Sequence, residues 1–190
     1  MTTLDDLRAE LGGNERLAAD LLRVTGEPGA VAGLFPAAGR RYGRDPLGDG
    51  WATDEAARAL LLAAVPPEQV GDIYRHGDTA EKLAVLKALP LLPIGPSAVP
   101  LLEDALRTND TRLVAAALGP YSDHLDQEAW RQAVLKCVFM GVPLKDVHRL
   151  AERADAPLGA MLRAFAAERH AAGRDMPPDA LALLDQLKEA

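Results

Sequence analysis

Three small groups of side chains in this sequence have residue types and spacing that suit ligand binding. The first contains Arg75 and His76, which end one helix pattern just before a new helix start at Asp78. A helix N-terminus attracts anions, although the Asp78 carboxylate already supplies negative charge there. A capped turn with Tyr74 packed into the core explains the same residues. An anion-binding turn and a purely structural turn are both open.

The second group is aromatic and lies in a loop and in the helix that follows it. Tyr121 and His124 precede a helix pattern that contains Trp130. Aromatic rings beside an imidazole can form the rim of a small-molecule site. The same rings can equally anchor the loop onto the core.

The third group combines Lys136, inside an apolar helix pattern, with Arg107 and Asn109 in a polar turn. A lysine in such a helix either extends its amine to solvent or is held by a partner. If the amine opened into a cavity instead, it would be an active-site candidate. The sequence leaves a structural and a functional role for Lys136 open.

Motifs that carry known chemistry are missing from the chain. There is no GxxxxGK[ST] phosphate loop, no dinucleotide fingerprint, no HExxH and no Cys/His set at zinc spacing. We therefore predict no catalytic residues, no metal site and no cofactor, and the sequence favours a binding protein while leaving catalysis open. The single cysteine, Cys137, is expected to be a buried small hydrophobic residue.

Composition predicts an all-α protein. Of the 190 residues 48% are hydrophobic and only 4% are aromatic, with Ala and Leu supplying most of the apolar content. A net charge of −7 argues against nucleic-acid binding through phosphate contacts. No run approaches the roughly 20 apolar residues needed to span a bilayer, so we expect no direct membrane insertion. The acidic, amphipathic N-terminus and the lone cysteine favour a cytoplasmic protein.

Helix start and stop signals divide the chain into about ten to twelve short helices in a single domain. The clearest start is Asp78 with Glu81 three residues later, the pattern of a capping box. Residues 82–84 align with residues 112–114, and Pro90 aligns with Pro120, which gives an offset typical of helical repeats. The fold is therefore predicted to be a HEAT-like α-α superhelix or an irregular bundle.

The predicted organisation has three parts that form one compact unit. Residues 1–39 form an N-terminal helical hairpin and a short helix, and residues 40–52 form an irregular loop rich in Gly and Arg. Residues 53–190 form the main helical domain. The loop is either a linker or a place where binding residues gather.

Four segments of the chain resemble the EboA family. They are RHGDTAEKLAVLKALPLLP (75–93), ALRTND (105–110), LGPYSDHLDQEAWRQAVLKCVFMGVPLKDV (118–147) and LRAFAAERHAAGRDMPPD (162–179). The resemblance implies a role in bacterial metabolite traffic, including export of secondary-metabolite precursors, within a conserved gene cluster. It implies as partners the other proteins of that cluster, among them a prenyltransferase-like membrane protein.

Two functional hypotheses follow from the residues and the resemblance. The first is a non-catalytic helical binding or scaffold protein, for which solenoids offer extended concave surfaces. The second is a small-molecule carrier, or an isomerase-type enzyme, with a pocket near Lys136 and His124. The second hypothesis requires several of the candidate side chains to converge on one cavity and bind a metabolite.

Overall fold

The computed structural model describes residues 2–189, with side chains described as far as Leu187. Within this range the protein is helical apart from one small hairpin, so the prediction of an all-α fold is confirmed. The α-helices are α1 (Leu4–Glu10), α2 (Glu15–Gly26), α3 (Val31–Tyr42), α4 (Thr53–Ala63), α5 (Glu68–His76), α6 (Thr79–Ala88), α7 (Val99–Arg107), α8 (Thr111–Ala117), α9 (Gln127–Met140), α10 (Leu150–Arg153), α11 (Ala156–Ala171) and α12 (Pro178–Glu189).

Short 3₁₀ helices join several of these elements. They span Pro28–Ala30, Leu89–Leu91, Gly95–Ala98, Pro120–His124 and Leu144–Asp146. The hairpin pairs β1 (Pro46–Gly48) with β2 (Trp51–Ala52) in antiparallel fashion. It lies in the segment expected to be an irregular loop. Its turn residues, Asp49 and Gly50, both have positive φ angles, a conformation that suits a tight hairpin turn.

The chain divides into two compact units, which we call unit 1 (up to Leu101) and unit 2 (from Leu102 onward). The predicted boundaries at residues 39, 52 and 53 and the HEAT-like repeat stay predictions. None of the helices within residues 2–189 combines the length and apolar character needed to cross a membrane.

The core of unit 1 is organised around α4. This helix contacts α1, α2, α3 and α6, and it is buried on nearly all sides. Three of its buried residues are alanines, Ala56, Ala57 and Ala59, each with no solvent exposure. Small side chains let neighbouring helices approach closely, which explains how one short helix can contact four others.

Helix α9 is the centre of unit 2. It contacts α8, α11 and the 3₁₀ helix at residues 144–146, and it buries Trp130, Val134, Cys137 and Val138. Burial raises the pKa of the Cys137 thiol to about 12, which confirms the expectation of a buried, inert cysteine. Phe139 lies in the same apolar stretch of the sequence, but it is 70% exposed. Phe139 follows Trp130 by nine residues, which places the two side chains roughly 180° apart around the helix axis.

N-cap side chains begin five of the helices, and the predicted start at Asp78 is among them. The side chains of Thr3, Asn14, Asp78, Asp110 and Asp126 each accept a backbone N–H from the first turn of α1, α2, α6, α8 and α9, respectively. These bonds satisfy donors that would otherwise have no partner within the helix. The cap of α6 matters most for the cavity described below, because the first turn of α6 forms part of the cavity wall.

Candidate ligand-binding cavity

Unit 1 contains a cavity of about 450 Å³ between α3, α5 and the first turn of α6. Its volume is within the usual range of small-molecule sites. Its lining residues are Gly29, Val31, Ala32, Phe35, Pro36, Gln69, Asp72, Ile73, His76 and Glu81. One wall is therefore almost wholly apolar, and the other wall carries all the polar groups.

The cavity has a buried floor and an exposed rim. Val31, Phe35 and Glu81 form the floor, with 3%, 1% and 9% of their surfaces exposed. Ala32 and His76 are among the exposed lining residues. A ligand in this position would bury its surface against aliphatic and aromatic carbon, while one carboxyl group would lie beneath it.

The capping box of α6 fixes the position of Glu81. Its backbone N–H donates to Asp78 Oδ1 at 2.9 Å, and its Oε2 accepts the Asp78 N–H at 3.3 Å. Gly77, before the cap, allows this close approach. A Cβ on Gly77 would lie 3.0 Å from the Glu81 Cβ and 3.1 Å from the Ile73 carbonyl oxygen. The Asp-x-x-Glu pattern therefore holds Glu81 against the cavity as well as starting a helix.

Glu81 is a buried carboxyl group without a salt bridge among the described residues. Burial is the main cause that raises its pKa, and repulsion from Asp78 adds to the effect. Arg58 lowers that pKa through its charge, but its Nη1 donates to Asp54 Oδ2 at 2.6 Å and its Nε donates to the Phe35 carbonyl oxygen at 3.1 Å. Glu81 thus has charge that its surroundings only partly compensate.

The rim contains His76, one of the predicted binding residues. Its Nδ1 lies 2.9 Å from the Asp72 carbonyl oxygen, so Nδ1 carries the proton in this contact. In the neutral ring Nε2 is then the acceptor. Arg75, the other predicted residue of this group, pairs with Asp72 through Nη2 and Oδ1 at 2.5 Å. Of the first predicted group, His76 lines the cavity and Arg75 neutralises a rim carboxylate.

In the second predicted group, Tyr121 contacts His124, and Trp130 contacts an arginine that holds the loop. The Tyr121 and His124 rings have centroids 4.8 Å apart in an edge-to-face arrangement. Trp130 is fully buried, and the Arg153 guanidinium lies over its ring at 4.7 Å. Arg153 also donates to the Ser122 carbonyl oxygen at 2.7 Å. These contacts favour the interpretation that the aromatic residues anchor the loop.

Lys136 holds the end of a helix. Its Nζ donates to the carbonyl oxygens of Leu106 and Thr108 at 2.6 and 2.8 Å, where α7 ends and its carbonyl groups lack intrahelical partners. Arg107, with Asp104 at 3.7 Å, and Asn109 are both exposed. The Lys136 amine therefore replaces solvent at a helix end, which is a structural role.

Lys136 is also separated from the aromatic group by helix geometry. It follows Trp130 by six residues on α9, which places the two side chains roughly 120° apart around the helix axis. The structure therefore pairs Lys136 with the turn after α7 and pairs Trp130 with Arg153. A shared pocket near Lys136 and His124 stays a prediction, and the contacts of Lys136 give it no support.

Most of the cavity residues were not selected from the sequence. In the sequence, Phe35 and Val31 lie in an ordinary apolar helix pattern, and Glu81 is part of a capping box. The only sequence signal was the coincidence of His76 with a capping box one turn later. Within residues 2–189, no group of three or more His, Cys, Asp or Glu side chains is arranged to hold a metal ion.

Comparisons with known proteins agree with the resemblance seen in the sequence. No curated protein and no solved structure matches the chain. A family model described as metabolite traffic protein EboA matches residues 39–185. The matched region includes α4, α5 and α6 and therefore the polar wall of the cavity. Because that match covers most of the 190 residues, the chain belongs to the EboA family of metabolite traffic proteins.

Proposed function

We propose that this protein is a non-catalytic binding protein that holds a small metabolite in the cavity between α3, α5 and α6. The observation that carries the proposal is a cavity of about 450 Å³ with a buried floor of Val31, Phe35 and Glu81. Apolar surface supplies affinity, and the few polar groups supply orientation. Such a role agrees with the family's description as metabolite traffic proteins.

The polar wall supports binding by its geometry. Gln69, Asp72 and His76 recur along α5, three or four residues apart, which places them on one face of that helix. Glu81 enters from the adjacent helix start. A ligand would therefore meet hydrogen-bonding groups along one side and the rings and methyl groups of α3 along the other.

Covering the opening of the cavity is expected to weaken binding of a neutral fluorescent probe. N-phenyl-1-naphthylamine is apolar, uncharged and small enough for the cavity, and its emission rises when it leaves water. We expect saturable binding to the native protein. Ala32 is an exposed lining residue, so an Ala32→Trp side chain can cover the opening and reduce the probe's affinity by about tenfold or more, a loss of roughly 1.4 kcal/mol. A fluorescence titration measures both affinities.

The matched control is Ala18→Trp, which adds the same ring at an exposed position of α2 outside the lining of this cavity. It should leave the probe's affinity unchanged. Equal affinities for the native protein and the Ala32→Trp variant would show that the probe binds elsewhere and would remove the support for a metabolite site here.

A second candidate function, docking of partner proteins, is favoured by an aromatic pair in unit 2, in which Phe139 is exposed and Phe165 is half-buried. Phe139 is 70% exposed, and its ring centroid lies 6.2 Å from that of Phe165. The Arg169 guanidinium lies 5.7 Å from the Phe165 centroid. Exposed aromatic residues beside arginine are typical of protein interfaces. We propose other proteins of the same gene cluster, including the prenyltransferase-like membrane protein, as partners, which would meet this protein in the cytoplasm.

Replacing Phe139 with serine is expected to weaken that docking. Loss of a central aromatic contact typically costs about 2 kcal/mol or more in an interface, which corresponds to roughly thirtyfold in affinity. Binding would be measured by surface plasmon resonance with each purified protein of the cluster. Leu22→Ser is the control, since Leu22 is 76% exposed on α2. If Phe139→Ser and Leu22→Ser bind every partner equally well, the aromatic pair is not the docking surface.

A further inference from the structure

The charge distribution of the cavity contains information about its ligand. The lining residues include two carboxyl groups, Asp72 and Glu81, and no lysine or arginine among the described residues. Their environments differ in solvation and pairing. The Asp72 side chain is 66% exposed and pairs with Arg75 at the rim, whereas the Glu81 residue is 9% exposed and has no salt bridge within the described part of the chain.

Buried carboxylates are normally paired, because removal of a charge from water is costly. Arg58 is a cation whose charge acts on Glu81, but its Nη1 and Nε donate to Asp54 and to the Phe35 carbonyl oxygen instead. One Glu81 oxygen, Oε2, accepts a long hydrogen bond of 3.3 Å from the Asp78 N–H. The carboxyl group therefore lies at the floor of an apolar cavity without a cation of its own, and a cationic ligand would complete it.

We propose that the cavity binds an organic amine in its ammonium form, with the nitrogen at Glu81 and an aromatic or aliphatic body against Val31, Phe35 and Ile73. This inference rests on the proposed function and identifies the chemical class of the metabolite. Charge-assisted hydrogen bonds to a buried carboxylate are stronger than neutral ones. Phosphorylated or carboxylated ligands would meet Asp72 and Glu81 without a lining cation and are disfavoured.

The rim offers a second acceptor for such a ligand. In the neutral ring, with Nδ1 directed at the Asp72 carbonyl oxygen, the His76 Nε2 can accept a hydrogen bond. An ammonium group has three donors, and the cavity presents acceptors at Glu81 on the floor and at His76 on the rim. The acceptors at Glu81 and His76 therefore suit a ligand that donates hydrogen bonds.

Three probes of nearly equal shape test the class of ligand. They are 2-phenylethylamine, which is an ammonium at neutral pH, the neutral 2-phenylethanol and the anionic 3-phenylpropanoate. We expect the amine to bind about tenfold more tightly than the alcohol, because hydrogen bonds to charged groups are stronger. The carboxylate should bind most weakly. Amide NMR titrations measure each affinity and show whether the residues of α3, α5 and early α6 respond.

Two variants separate the floor carboxyl group from a solvated carboxyl group elsewhere on the protein. Glu81→Gln keeps the capping box, since glutamine can bond the Asp78 N–H, and it should lower the amine's affinity about tenfold while leaving the alcohol unchanged. Asp5→Asn removes a solvated, Arg8-paired charge outside the cavity lining and should change the amine's affinity by less than about threefold.

The possible results distinguish this inference from the proposed function. If the alcohol or the carboxylate binds as tightly as the amine, the cavity remains a binding site and the amine inference is overturned. If Glu81→Gln leaves amine binding unchanged, the inference is also overturned. If none of the three probes shifts the amides around the cavity, metabolite binding at this position is wrong and the inference falls with it.

Discussion

Replacing Arg58 with methionine is expected to destabilise the protein by about 3–5 kcal/mol, because it leaves a buried carboxylate without its partner. Arg58 is 3% exposed and Asp54 is 7% exposed. Arg58 Nη1 donates to Asp54 Oδ2 at 2.6 Å, and its Nε donates to the Phe35 carbonyl oxygen at 3.1 Å. The substitution therefore removes the close partner of the Asp54 carboxylate, which keeps only Arg44 Nε at 3.9 Å, and a side-chain donor to the Phe35 carbonyl oxygen. Urea denaturation followed by circular dichroism measures the loss.

The same substitution should also weaken binding of the neutral probe N-phenyl-1-naphthylamine to the cavity. Arg58 lies 5.6 Å from the centroid of the Phe35 ring and binds the carbonyl oxygen of the same residue. Phe35 is part of the cavity floor. Loss of Arg58 would therefore loosen the floor as well as remove a positive charge near Glu81. The pair Asp54–Arg58 thus links the stability of α4 to the shape of the site.

A surface pair and a double substitution provide the controls. Arg8→Met removes a pair whose side chains are 55% and 90% exposed, and it should cost less than about 1 kcal/mol. Asp54→Leu combined with Arg58→Met removes both buried charges and should be more stable than Arg58→Met alone, because no orphaned carboxylate remains. A cost for Arg58→Met as small as that for Arg8→Met would contradict the assignment of a buried, structurally required ion pair.

The elements of this fold that could be predicted from the sequence are those fixed by local interactions. Asp78 and Glu81 identify a helix start because both partners of the capping box lie within one turn. Asp126 identifies the start of α9 for the same reason. These predictions need no knowledge of tertiary contacts, since the donor and the acceptor are always within a few residues of each other.

The cavity could not be predicted in this way because its two walls come from distant parts of the chain. Phe35 and Glu81 are separated by more than forty residues, and each has an ordinary local explanation as a helix-face residue or a cap. The pairing of Arg58 with Asp54 has the i, i+4 spacing of many solvated helix pairs. The sequence does not show that α4 is buried on nearly all sides. That burial places the Arg58–Asp54 pair, and the nearby Glu81, inside the protein.

The role of Lys136 also depends on tertiary contacts that the sequence does not show. Its position in an apolar helix allowed a buried catalytic amine, a solvent-exposed amine or a structural contact. The choice depends on where the end of α7 falls relative to α9. Because Leu106 and Thr108 present carbonyl oxygens to Nζ, the structural contact is the one that forms. Periodicity along α9 could not supply that information.

Replacing Trp130 with alanine is expected to destabilise the protein by about 3–5 kcal/mol through loss of buried surface and creation of a cavity. Trp130 is fully buried in α9. The Arg153 guanidinium lies 4.7 Å from its ring centroid, and Arg153 also donates to the carbonyl oxygens of Ser122 and Leu125 at 2.7 and 3.0 Å. The indole therefore supports the arginine that fixes the loop before α9, and denaturation with urea measures the combined effect.

Trp130→Phe separates the contributions of the ring and the indole N–H. The Nε1–H has no hydrogen-bond partner among the described residues, so phenylalanine loses volume and part of the stacking with Arg153 but no hydrogen bond. We expect this variant to cost about 1–2 kcal/mol, well below the alanine variant. Phe139→Ala, on the same helix and 70% exposed, should cost less than about 1 kcal/mol. Equal losses for Trp130→Phe and Trp130→Ala would contradict this account, because a phenyl ring would then recover none of the packing beneath Arg153.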